Sequence, residues 1–231
     1  MTAVAIVTGA STGFGRALAA ALGDRGWTVV MDGRRPEPLH AAAQAIGPNA
    51  IALPGDVADP EHRAELAARV RRLGRLDLLV NNASTLGASP LPPLERYPLD
   101  ELAAVYRVNV LAPLALAQLA LPQLRDSGGA IVNVSSDAAV EAYEGWGGYG
   151  SAKAALDQLS AVLAAEQPAL RVYSFDPGDM RTDMHQQAFP GEDISDRAEP
   201  HTVVPSLLRL LEQRPASGRY RASDLTVAVM S

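Results

Sequence analysis

The chain has 231 residues, of which 48% are hydrophobic, and it carries a formal net charge of −6. This length suits one large α/β domain, and the apolar content can bury a substantial core without metals or disulfides. The absence of cysteine excludes disulfides and thiol catalysis, and it fits a reducing compartment. The negative charge argues against a general nucleic-acid binder, which would need a basic surface.

We expect no signal peptide, because the first predicted strand begins at about Ala3. No uninterrupted apolar run reaches the roughly 18 residues of a membrane span. The longest candidate, Leu111 to Leu121, is interrupted by Pro113 and Gln118. We therefore expect a cytoplasmic protein that does not associate with membranes.

Short β-branched or apolar runs alternate along the chain with stretches rich in Ala and Leu, which indicates strands joined by helices. The predicted strands are Val4–Thr8, Thr28–Met31, Ala50–Leu53, Leu76–Val80, Ala130–Val134, Arg171–Phe175 and a weaker Gly218–Arg221. Helices are predicted to start near Gly13, Pro38, Pro60, Leu99, Tyr149 and Thr202. Strands that are apolar on both faces predict a Rossmann-type, doubly wound parallel sheet of about seven strands with helices on both faces. We expect a single domain over 1–231, with an irregular substrate loop from Met184 to Pro200.

A glycine-rich turn, Thr8-Gly9-Ala10-Ser11-Thr12-Gly13-Phe14-Gly15, follows the first predicted strand and opens a helix. Gly9 permits a tight turn, and Gly13 and Gly15 let the helix N-terminus approach a pyrophosphate. Its spacing differs from the common G-x-G-x-x-G dinucleotide pattern. Taken alone, it could be an ordinary strand-to-helix turn.

A phenol, an ammonium and a hydroxyl occur together in the second half of the chain. Tyr149 and Lys153 are four residues apart, so a helix would place them on one face, and Ser136 follows a predicted strand. An ammonium near a phenol favours the phenolate and lowers its pKa, so Tyr149 could act as general acid or base on a carbonyl oxygen. Ser136 would stabilise charge on that oxygen. Singly, each could be a packing or capping residue.

The glycine spacing, Asn81-Asn82-Ala83 after the fourth strand, Ser136 and Tyr149…Lys153 together resemble the short-chain dehydrogenase/reductase family, from Ala3 to about Asp183. The resemblance implies hydride transfer between a nicotinamide cofactor and a carbonyl or alcohol, with Asn109 as a fourth catalytic residue that supports a water-linked proton path. Lys153 would also hold the nicotinamide ribose. Ser84 stands where the family usually has glycine, and serine tolerates a positive φ poorly. The implied cofactor contacts are Gly9, Ser11, Thr12, Gly13, Phe14, Gly15, Asp56, Val57, Asn82, Ala83, Tyr149, Lys153, Pro177, Gly178 and Thr182.

The end of the second strand governs the choice between NADP and NAD. The position that resembles the family's acidic site is Gly33, and Arg34 and Arg35 follow it. A guanidinium binds a phosphate in bidentate fashion, so we predict NADP, with Arg34 as the main contact to the 2′-phosphate. The alternative is NAD, because a small backbone shift could bring the Asp32 carboxylate to the ribose. A solvated charged loop is the third interpretation of the two arginines.

Three segments should line the substrate pocket: Ser84 to Leu91, Asp137 to Gly148, and Asp179 to about Pro190. Their predicted walls are Tyr143, Trp146, Met180, Met184 and Phe189. The segment around Trp146 and the run through Thr182 are similar to the sepiapterin reductase branch, which anchors its pterin by an acidic residue near the C-terminus. The best-matching position here is Ala222, with Asp224 two residues further on, so a generic ketone or aldehyde is the predicted substrate.

The four histidines do not cluster at ligand spacing, so we predict surface residues and no metal site: His40, His62, His185 and His201. Two alternatives to an NADP-dependent carbonyl reductase or alcohol dehydrogenase are a nucleotide-binding regulator without chemistry, and an epimerase or dehydratase of a longer-chain group. Related enzymes assemble as dimers or tetramers through two long helices, which correspond here to Leu99–Leu124 and Tyr149–Glu166. A homodimer or homotetramer is therefore expected.

Overall fold

A computed structural model describes residues 2–225 of the chain. Its centre is a seven-stranded sheet in which every neighbouring pair is parallel, with strand order β3-β2-β1-β4-β5-β6-β7. The predicted Rossmann-type fold is therefore confirmed. The strands are β1 (Val4–Val7), β2 (Thr28–Gly33), β3 (Ala50–Pro54), β4 (Leu78–Asn81), β5 (Ala130–Val134), β6 (Arg171–Asp176) and β7 (Gly218–Arg221).

Residues 2–225 contain eight α-helices, and three of them begin at a proline: Pro36, Pro60 and Pro200. Proline suits the first helical turn because the missing N–H would have no helical partner there. This explains why two helices start two residues before their predicted positions. The helices are α1 (Gly13–Asp24), α2 (Pro36–Ile46), α3 (Pro60–Leu73), α4 (Leu99–Tyr106), α5 (Ala112–Ser127), α6 (Gly147–Glu166), α7 (Asp183–Ala188) and α8 (Pro200–Gln213).

Each face of the sheet is covered by its own apolar core. On one face, Val7 and Val132 pack with Leu18 of α1 and Leu207 of α8. On the other face, the alternate strand residues pack with α3 and α5, as Ile6 does with Leu66 and Leu116. Strands buried on both faces are nearly all apolar, which is the pattern that predicted them.

Two predicted segments differ from the structure. The helix predicted over Leu99–Leu124 is interrupted by a π-helical turn at Arg107–Leu111, which separates α4 from α5. π-helical turns are rare in proteins as a whole, and many of those that occur lie at functional sites. The loop predicted from Met184 to Pro200 contains α7, whose start is capped by the Thr182 hydroxyl accepting from the His185 N–H.

The combined helix Leu99–Ser127 is long and apolar enough to cross a membrane by length and composition, which the sequence analysis did not anticipate. Part of its surface lies in a core, since Leu116, Ala120 and Leu124 pack beneath the sheet. Its apolar composition thus has a packing explanation.

The strand order reverses between β1 and β4, because the chain leaves β1 towards β2 and β3 and then returns to the other side of β1. Parallel sheets bind ligands in the crevice outside the carboxyl ends of their strands at such a switch point. The loops after β1, β4, β5 and β6 meet here, and they carry the glycine turn, Asn82, Ser136 and Pro177-Gly178.

Candidate active site

A cleft of about 1310 Å³ opens at the switch point. It is lined by both the glycine turn and the Ser136, Tyr149 and Lys153 group, so one cavity contains the nucleotide-binding and the catalytic candidates. Of the catalytic and cofactor-binding residues predicted from the sequence, only Gly15 and Asn109 lie outside the cleft wall. The lining includes Gly9, Ser11, Thr12, Gly13, Phe14, Arg34, Arg35, Asp56, Val57, Asn82, Ala83, Pro177, Gly178 and Thr182.

The glycine turn depends on two close approaches. Gly9 has a φ of +63°, and a Cβ there would lie 2.8 Å from the Cα of Ala83. Gly15 lies behind the wall, where a Cβ would be 2.4 Å from Nδ2 of Asn82. A side chain at either position would push apart the β1 and β4 loops. Gly15 therefore shapes the turn by packing rather than by facing the cleft.

Asn82 holds the turn from the β4 side. Its Nδ2 donates to the carbonyl oxygens of Thr8 (2.8 Å) and Gly9 (3.1 Å). The Thr8 hydroxyl in turn accepts from the N–H groups of Asn82 and Ala83. These bonds use the Asn82 amide for local structure, and they fix the loop that forms the floor of the nucleotide half.

The residues present fit a dinucleotide. The amino end of α1 presents the backbone of a glycine turn to the cleft, and no acidic residue lies in its first turn. Helix N-termini favour anions. Arg34 and Arg35 are exposed on the cleft wall beyond β2, and so is Arg16, which the sequence analysis missed. Its signal was a basic residue directly after the last glycine of the turn.

The Asp32 carboxylate is buried below this wall. Its Oδ1 accepts the Gly9 N–H at 2.8 Å, and its Oδ2 lies 2.9 Å from Nε2 of His62. Both side chains are almost inaccessible to solvent. The prediction that His62 is a surface residue was wrong, because α3 turns the imidazole inward to meet this carboxylate. The hydrogen bond with Asp32 raises the pKa of His62 and outweighs the opposing effect of burial.

Ser136 caps a short 3-10 turn at the end of β5. Its Oγ accepts the Ala138 N–H at 3.2 Å and donates to Oδ1 of Asp137 at 2.9 Å. The other oxygen of Asp137 accepts the Tyr143 hydroxyl at 3.0 Å. The Ser136 hydrogen therefore points to a carboxylate in this arrangement, and it must turn to reach a substrate oxygen.

Tyr149 lies near the start of α6, and the nearby hydroxyls of Ser136 and Ser84 influence the pKa of its phenol. Burial raises its pKa, and the two serine hydroxyls lower it without cancelling that effect. The carboxylates of Asp176 and Asp137 raise it further. This differs from the predicted lowering by Lys153, because desolvation of the phenolate dominates. A raised pKa keeps the phenol protonated at neutral pH.

Lys153 follows one turn later on α6 and is almost completely buried. Its Nζ donates to the carbonyl oxygen of Val134 at 2.7 Å and lies 5.4 Å from the centre of the Tyr149 ring. Burial lowers the pKa of the ammonium from 10.5 to about 8, and the carboxylate of Asp157 opposes that shift. Burial therefore makes this ammonium lose its proton more readily than an exposed lysine does.

Asn109 lies in the π-helical turn and is buried behind the cleft. Its Oδ1 accepts the Thr85 N–H at 2.9 Å and the Ser84 hydroxyl at 3.2 Å, while its Nδ2 donates to the Thr85 carbonyl at 2.8 Å. The side chain thus clamps the β4 loop. Ser84 does not have a positive φ, so the backbone strain expected of a serine at this position is absent.

A network of charged residues around Arg219 of β7, which was not predicted from the sequence, supports the backbone of Ser136. The Arg219 guanidinium donates to the Ser136 carbonyl (2.9 Å), to Asp176 (2.9 Å) and to Asp157 (3.1 Å). It therefore joins the ends of β5 and β6 to the middle of α6. No local pattern indicates this network, because the partners of Arg219 are 43 to 83 residues away along the chain.

The substrate half has an apolar wall. Trp146 packs edge-on against Tyr149, with 5.7 Å between ring centres, and near Leu86 and Met184. Met180 and Trp146 line the cleft as predicted, whereas Tyr143 and Phe189 do not. Phe189 instead packs against Trp146, with 5.8 Å between the ring centres.

Two further predictions concern histidine and the C-terminal acid. The His185 side chain is mostly buried beside Asp179, so its prediction as a surface residue was wrong. Within residues 2–225, no group of three His, Asp or Glu side chains could hold a metal ion. Asp224 is exposed and lies away from the cleft lining, and Ala222 is buried in a core.

The parallel sheet, the glycine turn and the cleft define a dinucleotide-binding protein of the Rossmann class. The profile of the short chain dehydrogenase family matches residues 3–193. The chain belongs to the short-chain dehydrogenase family, and it is an oxidoreductase of that class.

Curated relatives and solved structures agree with this assignment. The chain is 36% identical to sepiapterin reductase of Mus musculus over 202 residues, covering 80% of this chain and 77% of the relative. It is 35% identical to the uncharacterised oxidoreductase YciK of Escherichia coli over 217 residues, covering 90% and 85%. A short chain dehydrogenase from Shigella flexneri complexed with NADP has a TM-score of 0.89 at 32% identity, covering 96% of this chain and 97% of that one.

Proposed function

We propose that the protein interconverts a carbonyl group and a secondary alcohol with NADP, using Tyr149 as general acid and base. The observation that carries the proposal is that Tyr149, Ser136 and Lys153 share one cleft with the glycine turn. A nicotinamide bound there would supply or take up the two electrons of the reaction. Gly9, Gly13 and the amino end of α1 would hold its pyrophosphate.

The proton chemistry follows from the surroundings of the phenol. In reduction, Tyr149 donates its proton to the substrate oxygen, and its raised pKa keeps that proton in place at neutral pH. In oxidation, the phenolate must form, and the nearby Lys153 ammonium favours it. Ser136 turns its hydroxyl from Asp137 to the substrate oxygen and stabilises charge there.

Two observations support NADP over NAD. The Asp32 carboxylate could bind a ribose 2′-hydroxyl, but it is buried and already forms hydrogen bonds with the Gly9 N–H and with His62. Arg34 and Arg35 are exposed on the same wall and form no ion pair within the described part of the chain. A 2′-phosphate would meet these cations. The Shigella flexneri relative was solved with NADP, and a relative from Escherichia coli CFT073 with NADPH.

The substrate class we propose is a ketone or aldehyde with an apolar portion, which would pack on Trp146, Met184 and Leu86. Sepiapterin reductase relatives make pterins a second candidate. Asp224 does not line the cleft, so an acidic anchor for a pterin is not supplied from that position. A generic carbonyl compound is therefore preferred.

We also propose that residues 1–231 act as one cytoplasmic domain, without nucleic acid or membrane, with 184–200 covering the substrate. The chain would form a homodimer or homotetramer through α4, α5 and α6. Supporting this assembly, Leu99 of α4, Leu119 of α5 and Val162 of α6 are exposed. Light scattering at micromolar concentration tests the assembly, and a monomer would contradict it.

The test of function is a panel of diketones, aldehydes, pterins and secondary alcohols, followed by NADPH absorbance. We expect turnover of at least one carbonyl class, with a higher kcat/KM for NADPH than for NADH. A clear preference for NADH would contradict the cofactor assignment. Tight NADPH binding without turnover across the panel would instead favour the nucleotide-binding regulator.

A further inference from the structure

The Asp32 carboxylate is a buried negative charge in the wall of the nucleotide half of the cleft. Asp32 lines this cleft two residues before Arg34, yet its side chain is only 2% exposed. Its Oδ1 accepts the Gly9 N–H at 2.8 Å, which fixes the carboxylate against the glycine turn. An uncompensated carboxylate at this place would oppose the binding of an anion on the same wall.

The imidazole of His62 is the group that can compensate this charge. Its Nε2 lies 2.9 Å from Oδ2 of Asp32, and its side chain is 5% exposed. The ring packs directly on Gly55, where a side chain would leave no room for it. A protonated imidazole makes the pair electrically neutral, whereas a neutral imidazole leaves one net negative charge beside the cleft.

The charged groups that face the imidazole favour its protonated form. Asp32 reaches it from β2, and Oε2 of Glu65, on the same helix α3, lies 3.9 Å from Nδ1. Asp59, the residue that caps α3, adds a third negative charge. The hydrogen bond with Asp32 raises the pKa of His62 most, and burial opposes it. The neutral pair is therefore the form present at mildly acidic pH.

We propose that His62 is a specificity-determining residue for NADP, because its imidazolium cancels the Asp32 charge beside the site of the adenosine 2′-phosphate. The inference rests on the proposed function, since it requires that Arg34 and Arg35 receive this phosphate. NAD has a hydroxyl in place of the phosphate, so its binding there depends much less on the net charge of the pair. His62 does not line the cleft itself, and it acts through Asp32.

Thermodynamic linkage gives the proposal a magnitude. A unit charge close to a bound phosphate should change the affinity for NADP⁺ by about tenfold. If NADP⁺ binds the protonated pair about tenfold more tightly, bound NADP⁺ must raise the pKa of His62 by about one pH unit. NAD⁺ should leave this pKa nearly unchanged.

The first test measures the Kd for NADP⁺ and for NAD⁺ by calorimetry between about pH 5.5 and pH 8.5. His62→Gln keeps an N–H donor without the charge. It should bind NADP⁺ about tenfold more weakly than the wild-type chain at acidic pH, with a difference that shrinks as pH rises. Its Kd for NAD⁺ should stay unchanged. Because proteins are compared at one pH, the ionisation of the cofactor's own phosphate cancels.

Two further variants separate charge from structure. The double variant Asp32→Asn/His62→Gln removes both charges and should recover the wild-type Kd for NADP⁺. His40→Gln, at an exposed histidine of α2, should match the wild-type chain with both cofactors.

The second test is an NMR titration of the His62 ring, whose signal is identified by its loss in His62→Gln. The pKa should rise with NADP⁺ and hardly change with NAD⁺. Equal weakening of both cofactors in His62→Gln would overturn the proposal, and so would equal pKa changes with both. These two readouts decide the question even if the double variant does not fold. A wild-type chain that binds NAD⁺ more tightly than NADP⁺ would refute the proposed cofactor, and the two Kd ratios of His62→Gln would still decide the role of His62.

Discussion

Asp32 and His62 form a buried pair beneath the nucleotide site, with 2.9 Å between Oδ2 and Nε2. The same carboxylate accepts the Gly9 N–H at 2.8 Å. The imidazole lies so close to Gly55 that a Cβ there would be 2.2 Å from Nδ1. This pair therefore connects the glycine turn after β1 with the loop after β3. Both segments line the end of the cleft where the nucleotide is expected to bind.

The pair makes stability depend on pH in a defined direction. The hydrogen bond with Asp32 raises the pKa of His62 above its ordinary 6.5. The contribution of the charged pair is therefore fully present below pH 6.5 and is lost as pH rises through the folded-state pKa. His62→Gln, which keeps an N–H donor without the charge, should lower the free energy of unfolding by about 1–2 kcal/mol at acidic pH. The loss should shrink as pH rises.

Urea unfolding of both proteins across this pH range measures the difference. His40→Gln, at an exposed histidine of α2, is the matched control and should show no such trend. A difference between wild type and His62→Gln that does not change with pH would contradict the charged pair.

Substitution of Arg219 should lower turnover without changing the affinity for the cofactor. Arg219→Lys keeps a positive charge but cannot bond the Ser136 carbonyl, Asp176 and Asp157 together. Displacement of the Ser136 wall should lower kcat by about tenfold to hundredfold. Steady-state kinetics measures the loss, and NADPH titration should show an unchanged Kd.

Arg221→Ala is the control for that change. Arg221 lies on the same strand and approaches Asp176 only to 3.8 Å, without reaching Ser136. It should keep near wild-type turnover. A normal kcat in Arg219→Lys would show that the Arg219 network does not position Ser136 for catalysis.

Arg34 should discriminate between the two nicotinamide cofactors. A hydrogen bond to a charged group contributes about 1.5–3 kcal/mol, so Arg34→Ala should weaken NADPH binding by about 10-fold to 100-fold. NADH lacks the 2′-phosphate and should bind as before. Fluorescence titration with both cofactors measures this, and Arg25→Ala, at an exposed arginine after α1, serves as control. An equal loss for both cofactors would refute a specific phosphate contact.

The sheet could be predicted from the sequence, because its strands are buried on both faces and carry unbroken apolar runs. It also located the glycine turn, Ser136 and Tyr149…Lys153, since these motifs follow strand ends, where a parallel sheet gathers its loops. It failed at the π-helical turn around Asn109, because Ala, Leu and Val occupy most positions of this segment and hide the rotation of the apolar face that an inserted residue causes.

Long-range polar contacts were the second source of error. Nothing near His62 of α3 in the sequence indicates that its side chain meets Asp32, which lies on β2 and is 30 residues away. Arg219 likewise reads as a surface charge until β7 is placed beside β6. The sign of the pKa shift at Tyr149 depended on burial and on carboxylates far along the chain, which local spacing does not report.

The central claim, that Tyr149 exchanges a proton with the substrate oxygen, is tested most directly by Tyr149→Phe. The change removes one hydroxyl from a ring packed against Trp146 and leaves the glycine turn and the arginines untouched. Loss of general acid–base catalysis should lower kcat by about 100-fold to 10,000-fold, with the Kd for NADPH near the wild-type value. Turnover that stays at the wild-type level in this variant would contradict the account.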